Sequence, residues 1–120
     1  MSKVSVGRKY ENLVKAIYIR NGWLVDKKVR TRFASPDFFG MFDLLCIKGE
    51  WVDFVQVKKN KGDYSAAKRE IKKWCIENEI NCRGIFIYGY RGTEKRIRSW
   101  KIAELINNEW SEIVVQEDAL

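Results

Sequence analysis

The chain has 120 residues, 46% of them hydrophobic, and its 23 lysines and arginines outnumber 16 acids to give a net charge of +7. That size and apolar content suit one domain spanning residues 1–120 with a real core and exclude a disordered chain, and the total absence of histidine excludes every mechanism built on an imidazole base, nucleophile or metal ligand. No apolar run approaches the ~18 residues of a membrane helix and the N-terminus has no apolar signal core, so a soluble, cytoplasmic protein with no membrane partner is expected.

Gly7 to Arg20 reads as a helix, because Tyr10, Leu13, Val14, Ile17 and Tyr18 recur at the i, i+3, i+4, i+7, i+8 spacing of one buried stripe. Asn21-Gly22 supplies its stop. Trp23 to Arg30 reads as a strand, and Thr31 to Gly40 as a loop containing Pro36. Phe42 to Ile47 and Trp51 to Lys58 are apolar, β-branched runs joined through Gly49-Glu50, with glycine at the first central position that a type II′ turn prefers. Asn60 to Asp63 is a turn, with Asp63 as the expected cap of a second helix over Tyr64 to Asn78. Its apolar face is Tyr64, Ala67, Ile71, Trp74 and Cys75. Gly84 to Tyr90 reads as a central strand and Arg91 to Thr93 as a loop. Arg96 to Ile102 reads as a strand, Ala103 to Asn108 as a short helix, Ile113 to Val115 as a short strand and the acidic end as a frayed tail. This order predicts an α/β fold with a mixed central sheet flanked by helices. The crossover through the second helix should make the strands on either side of it parallel.

The three cysteines, Cys46, Cys75 and Cys82, contain no C-x-x-C pair, so neither a zinc site nor a disulfide framework is expected. Cys46 and Cys75 fall on core faces and read as buried thiols.

The chemistry concentrates in the hairpin. Pairing Lys48 with Trp51 and counting outward sets Asp43 opposite Gln56, with Cβ atoms about 4.5–5.5 Å apart. Alternation puts Lys58 on the same face as Gln56. An unpaired carboxylate in an apolar strand is costly, so Asp43 needs a cation, a metal or solvent at the hairpin mouth. An amide between Val55 and Val57 needs hydrogen-bond or ligand work. Glu11 borders the apolar stripe of the first helix, where it faces the sheet or pairs with Lys15 at i+4.

Gly7-x-x-x-Glu11, Phe42-Asp43-Leu44-Leu45 and Val55-Gln56-Val57-Lys58 together resemble the PD-(D/E)XK nuclease superfamily over about residues 7–90. Within it they are similar to the archaeal Holliday junction resolvase-like and small restriction endonuclease-like branches. The resemblance implies a restriction endonuclease-like core in the order α-β-β-β-α-β and a Mg²⁺-dependent endonuclease acting on DNA phosphodiesters, branched DNA among them. It implies that Asp43, Gln56 and Glu11 hold Mg²⁺, for which Mn²⁺ can substitute. Lys58 would position the attacking water or offset charge at the phosphate, and a homodimer would cut two strands. Two departures stand out. Phe42 occupies the family's proline position, while the literal Pro36-Asp37 lies six residues too early, leaving Asp37 as a decoy or supporting residue. Gln56 replaces the usual glutamate; its oxygen still suits Mg²⁺ but adds no charge, so metal binding should be weaker. A non-catalytic nucleic-acid-binding module that kept the fold is the alternative.

Three basic clusters frame this hairpin: Lys27, Lys28, Arg30 and Arg32; Lys59 and Lys61; Arg91, Lys95, Arg96 and Arg98. Each is either a solvated surface or part of a rim that attracts nucleic acid, and three around one acidic pocket favour the rim.

Overall fold

The computed structural model describes residues 4–27, 38–80, 84–92, 98–116 and 120. Its elements are α1 (Val4–Arg20), β1 (Leu24–Lys27), β2 (Leu44–Lys48), β3 (Trp51–Lys58), α2 (Lys61–Glu77), β4 (Ile85–Gly92), β5 (Arg98–Ile106) and β6 (Glu109–Gln116). The six strands form one sheet in sequence order, antiparallel throughout except where β3 runs parallel to β4. That parallel pair is the predicted crossover through α2. The α/β class with a mixed sheet and helices is therefore the observed architecture.

The helices pack on two cores. Val14 and Tyr18 of α1 join Leu44, Cys46, Val55, Val57, Tyr88, Trp100 and Ile102 on one face of the sheet. Tyr64, Ala67, Ile71 and Cys75 of α2 join Phe42, Ile85, Ile87, Ala103 and Leu105 on the other. Alternate residues of β3, β4 and β5 thus feed opposite cores, as a period of two requires. Cys46 and Cys75 are buried thiols, as expected.

The structure corrects several boundaries. α1 begins at Val4, ahead of the predicted Gly7. β2 begins at Leu44 and not at Phe42. Phe38 and Phe42 bridge one another across a turn whose Phe39 and Gly40 have φ of 54° and 70°, and Phe42 swings into the α2 core. There its ring meets Phe54 at 5.4 Å and Trp74 at 6.0 Å, contacts that hold the residue before Asp43 in place. The cap of α2 is Asn60 and not Asp63: Asn60 Oδ1 accepts from Asp63 N at 2.8 Å while its Nδ2 donates to Asp63 Oδ2 at 2.6 Å.

The largest correction is at the C-terminal end. The predicted helix over Ala103 to Asn108 is strand and turn. β5 runs through Ile106, turns at Asn107-Asn108 with φ of 51° and 63°, and returns as an eight-residue β6. Two consecutive positive φ values are the mark of a type I′ hairpin, which asparagine tolerates. Ala103 and Leu105 bury under α2 while Ile102 buries under α1, so tertiary packing decides the segment over its helix propensity.

Of the residues singled out from sequence, Lys28, Arg30, Arg32, Asp37, Cys82, Lys95 and Arg96 lie outside the described residues. Among those described, no helix is long and apolar enough to cross a membrane.

Candidate functional site

The hairpin has the register that counting from its turn implies. Lys48 pairs with Trp51 and Leu44 with Val55, and the ladder stops there: Asp43 is a bend just before β2 whose N still bonds to Val55, so the expected direct Asp43–Gln56 pair is not one of the ladder's. Gly49 has φ of 60° while Glu50 is not left-handed, as a type II′ turn requires. Two bonds fix Asp43 at the hairpin mouth: its N donates to Val55 O at 2.8 Å, and its Oδ2 accepts from Val57 N at 2.7 Å. The carboxylate is thus tied to the peptide joining Gln56 to Val57.

Gln56 is 7% exposed, and its Oε1 is buried with no hydrogen-bond partner among the described residues. Leaving a buried acceptor unsatisfied costs about 1–3 kcal/mol. Gln56 pairs with Ile87 and Lys58 with Gly89 across the parallel β3/β4 ladder. Gly89 in turn pairs with Lys101 of β5, so two lysines flank a glycine on the α2 face. A Cβ on Gly89 would lie 2.6 Å from the Tyr64 ring, so only glycine lets that ring settle on the sheet between them.

Glu11 is placed differently. Its Oε1 pairs with Lys27 Nζ at 3.3 Å, and Lys27 also donates to Asn12 Oδ1 at 3.1 Å. Lys27 is the β1 partner of Leu44, one residue from Asp43. Lys27 is therefore bound to α1, and Glu11 is already occupied by it. Among the described residues, no three His, Cys, Asp or Glu side chains gather as a metal-holding group.

The other cations converge better. A cavity of about 540 Å³ at the C-terminal ends of β3 and β4 is lined by Asn60, Lys61, Tyr64, Arg91, Ser99 and Lys101. Lys61 and Arg91 belong to two basic clusters that are 30 residues apart in sequence, and the sheet brings them to one place. The N-terminus of the 17-residue helix α2 adds its partial positive charge there. Lys59 is exposed beside it, just after β3, and Arg98 opens β5.

Lys101 is the functional candidate that the sequence reading misses. Its Nζ lies 5.5 Å from the Tyr64 ring centroid and 3.0 Å from Glu112 Oε2. Glu112 also bonds Lys68, and these two ammonium groups hold its carboxyl down at about 2, with the Lys68 bond the larger cause. The signal was present as the alternation Lys101, Ala103, Leu105, which becomes readable once the segment is taken as strand.

Comparison with known proteins finds no matching family model, no matching curated protein and no matching solved structure.

Proposed function

We propose that the chain is a metal-dependent endonuclease acting on DNA phosphodiesters, branched DNA among its substrates, built on a restriction endonuclease-like core. The observation that carries this reading is the orphaned Oε1 of Gln56, one residue before the Val57 N to which the Asp43 carboxylate is tied. A hard divalent cation would satisfy the Gln56 oxygen, and Mg²⁺ commonly takes one or two protein oxygens and fills its remaining positions with water and phosphate. Asp43 and Gln56 would hold Mg²⁺ or Mn²⁺, and Glu11 would join them only by leaving Lys27. The bound ion would supply Lewis acidity and a more acidic water.

The chain's own residues do the rest. Lys58, two residues beyond Gln56 on β3, places a positive charge where the phosphorane develops negative charge. Lys61, Arg91 and Lys101, with the α2 N-terminus, form a cationic cavity that receives a neighbouring phosphate of the strand. A second copy would pair on the edge strand β6, where Ile113 and Val114 are 58% and 59% exposed, and sedimentation should then report a dimer.

One observation favours a second reading, a nucleic-acid-binding module without catalysis: Glu11 is bound to Lys27, and among the described residues no three acidic side chains gather as a metal-holding group. Incubation with supercoiled and four-way-junction DNA in Mg²⁺ or Mn²⁺ separates the two. The enzyme cuts, and Asp43→Ala and Lys58→Ala lose cutting while still binding. Binding without cutting by the wild type selects the module. Affinity that does not fall between about 50 and 200 mM salt, the range over which phosphate contacts weaken, overturns both.

A further inference from the structure

The α1 face of the sheet carries a different site at the opposite end of β3. A cavity of about 1000 Å³ is walled by Trp23, Trp51 and Phe86, with Asp53, Glu104, Glu50 and Lys48 as its charged groups. We propose that this cavity binds an organic cation, an ammonium or guanidinium group on an apolar stem, with Asp53 and Glu104 receiving the charge and the aromatic walls the stem.

Asp53 is 9% exposed, and one of its oxygens is already fixed. Tyr18 Oη donates to Asp53 Oδ2 at 3.0 Å, and Tyr88 Oη donates to Tyr18 Oη at 3.3 Å. The other oxygen, Oδ1, faces Gly84 in the cavity lining: a Cβ there would stand 3.1 Å from it and 2.1 Å from Val52 O. The missing side chain keeps the space before Oδ1 open. Glu104 pairs with Phe86 across β4 and β5, and its charge adds to burial in pushing the Asp53 carboxyl above its ordinary value.

A buried carboxylate facing a second one in an apolar hollow calls for a cation. Among the described residues no lysine or arginine is bonded to either. The ammonium on the wall, Lys48 Nζ, instead donates to Asn21 O at 2.7 Å. The contrast with a chain of net charge +7 sharpens the point. A bare metal ion fits poorly, since no third ligating side chain joins the pair among the described residues and the walls are aromatic. Indole and phenyl faces attract ammonium and guanidinium groups, and a volume near 1000 Å³ accommodates a stem as well as a head.

The test is titration of the full chain, followed by NMR at the Trp23 and Trp51 indoles and the Gly84 amide. The probes are n-butylammonium, butylguanidinium, n-butanol and a short arginine-containing peptide. Saturable shifts confined to those signals are expected for the cations, with n-butanol at least about tenfold weaker. Asp53→Asn and Glu104→Gln should each weaken cation binding by about tenfold with the remaining spectrum unchanged. Should Asp53→Asn fail to fold, Glu104→Gln alone decides. A peptide that outbinds butylguanidinium assigns the site to a partner's side chain, and the reverse order assigns it to a free amine or guanidine. No saturation by about 10 mM, equal binding of n-butanol, or undiminished binding by both variants overturns the proposal.

Discussion

Asp53 and Gln56 lie three positions apart on one strand, and among the described residues they are the buried polar side chains of the core. An odd spacing sends them to opposite faces of the sheet. Asp53, under α1, is satisfied on one oxygen by Tyr18 and opens with the other toward an acidic, aromatic hollow. Gln56, under α2, keeps its oxygen unpartnered beside an anchored carboxylate and a cationic shelf. Similar burial therefore has two meanings. A charge that is held and a neutral acceptor that is left wanting are different sites, and the ligands proposed for them differ accordingly: an organic cation at one end, a metal with its phosphate at the other.

The comparison breaks most visibly at Gly84. Its φ of 85° is left-handed, and a Cβ would lie 2.1 Å from Val52 O. Gly84→Ala should cost about 3 kcal/mol in urea unfolding, combining backbone strain with overpacking. A cost near zero would mean that the β3/β4 junction is looser than the Phe54 N to Gly84 O bond of 2.6 Å implies. Next in size is Lys58→Ala, which should slow DNA cleavage by about 100-fold, or ~2.7 kcal/mol, while changing DNA affinity less than about threefold. Asp53→Asn, on the other face, should leave cleavage rates unchanged. Equal loss of cleavage in both variants would collapse the distinction between the two ends.

The hairpin end of this contrast is legible from sequence, and the other end is not, for a physical reason. A two-residue turn with glycine leading admits one register, so Gly49 sets the pairing from Lys48–Trp51 out to Leu44–Val55 and brings Asp43 to the mouth beside it. The stripe on α1 and the crossover through α2 are equally plain, because strong periodicity and a parallel partner leave few topologies. Asp53 gives no such signal. Its partner Tyr18 is 35 residues away and Glu104 is 51 away, on a strand whose second half reads as helix until Asn107-Asn108 is taken as a type I′ turn. Lys101 falls within the strand expected over Arg96 to Ile102, but its place beside Gly89 depends on the β4/β5 register, which local pattern does not give. The fold class follows from local pattern, whereas sites assembled across β5 depend on knowing where β5 stops.

Gln56 permits a smaller and more discriminating measurement. Gln56→Leu removes the orphaned oxygen and should raise stability by about 1 kcal/mol while abolishing metal-dependent cleavage. Gln56→Glu should do the reverse, lowering metal-free stability by burying a charge beside Asp43 while tightening Mg²⁺ binding and keeping or raising activity. If Gln56→Leu instead destabilises the fold, the amide is making a bond that the structure does not show, and the metal reading loses its main support.

The smallest effect belongs to Asp53→Asn, because asparagine can still accept the Tyr18 hydroxyl, and its value lies in its dependence on pH. Burial, reinforced by Glu104 and opposed by the Tyr18 bond, raises the Asp53 carboxyl above its ordinary 3.8. A folded-state value above the unfolded one means that the folded protein binds the proton more tightly, so this contribution to stability is full below 3.8 and is lost as pH rises through the raised value. Glu112 acts with the opposite sign: held at about 2 against an ordinary 4.5, it contributes stability above 4.5 that is lost as pH falls toward 2. The wild-type profile mixes the two, and subtracting the Asp53→Asn profile isolates the first. The difference should favour the variant increasingly as pH climbs from 3.8, and saturating butylammonium should shrink it by stabilising the ionised wild type. A difference that is flat with pH would mean that Asp53 is ordinary in its acidity and that the hollow beside it is merely a gap under the helix.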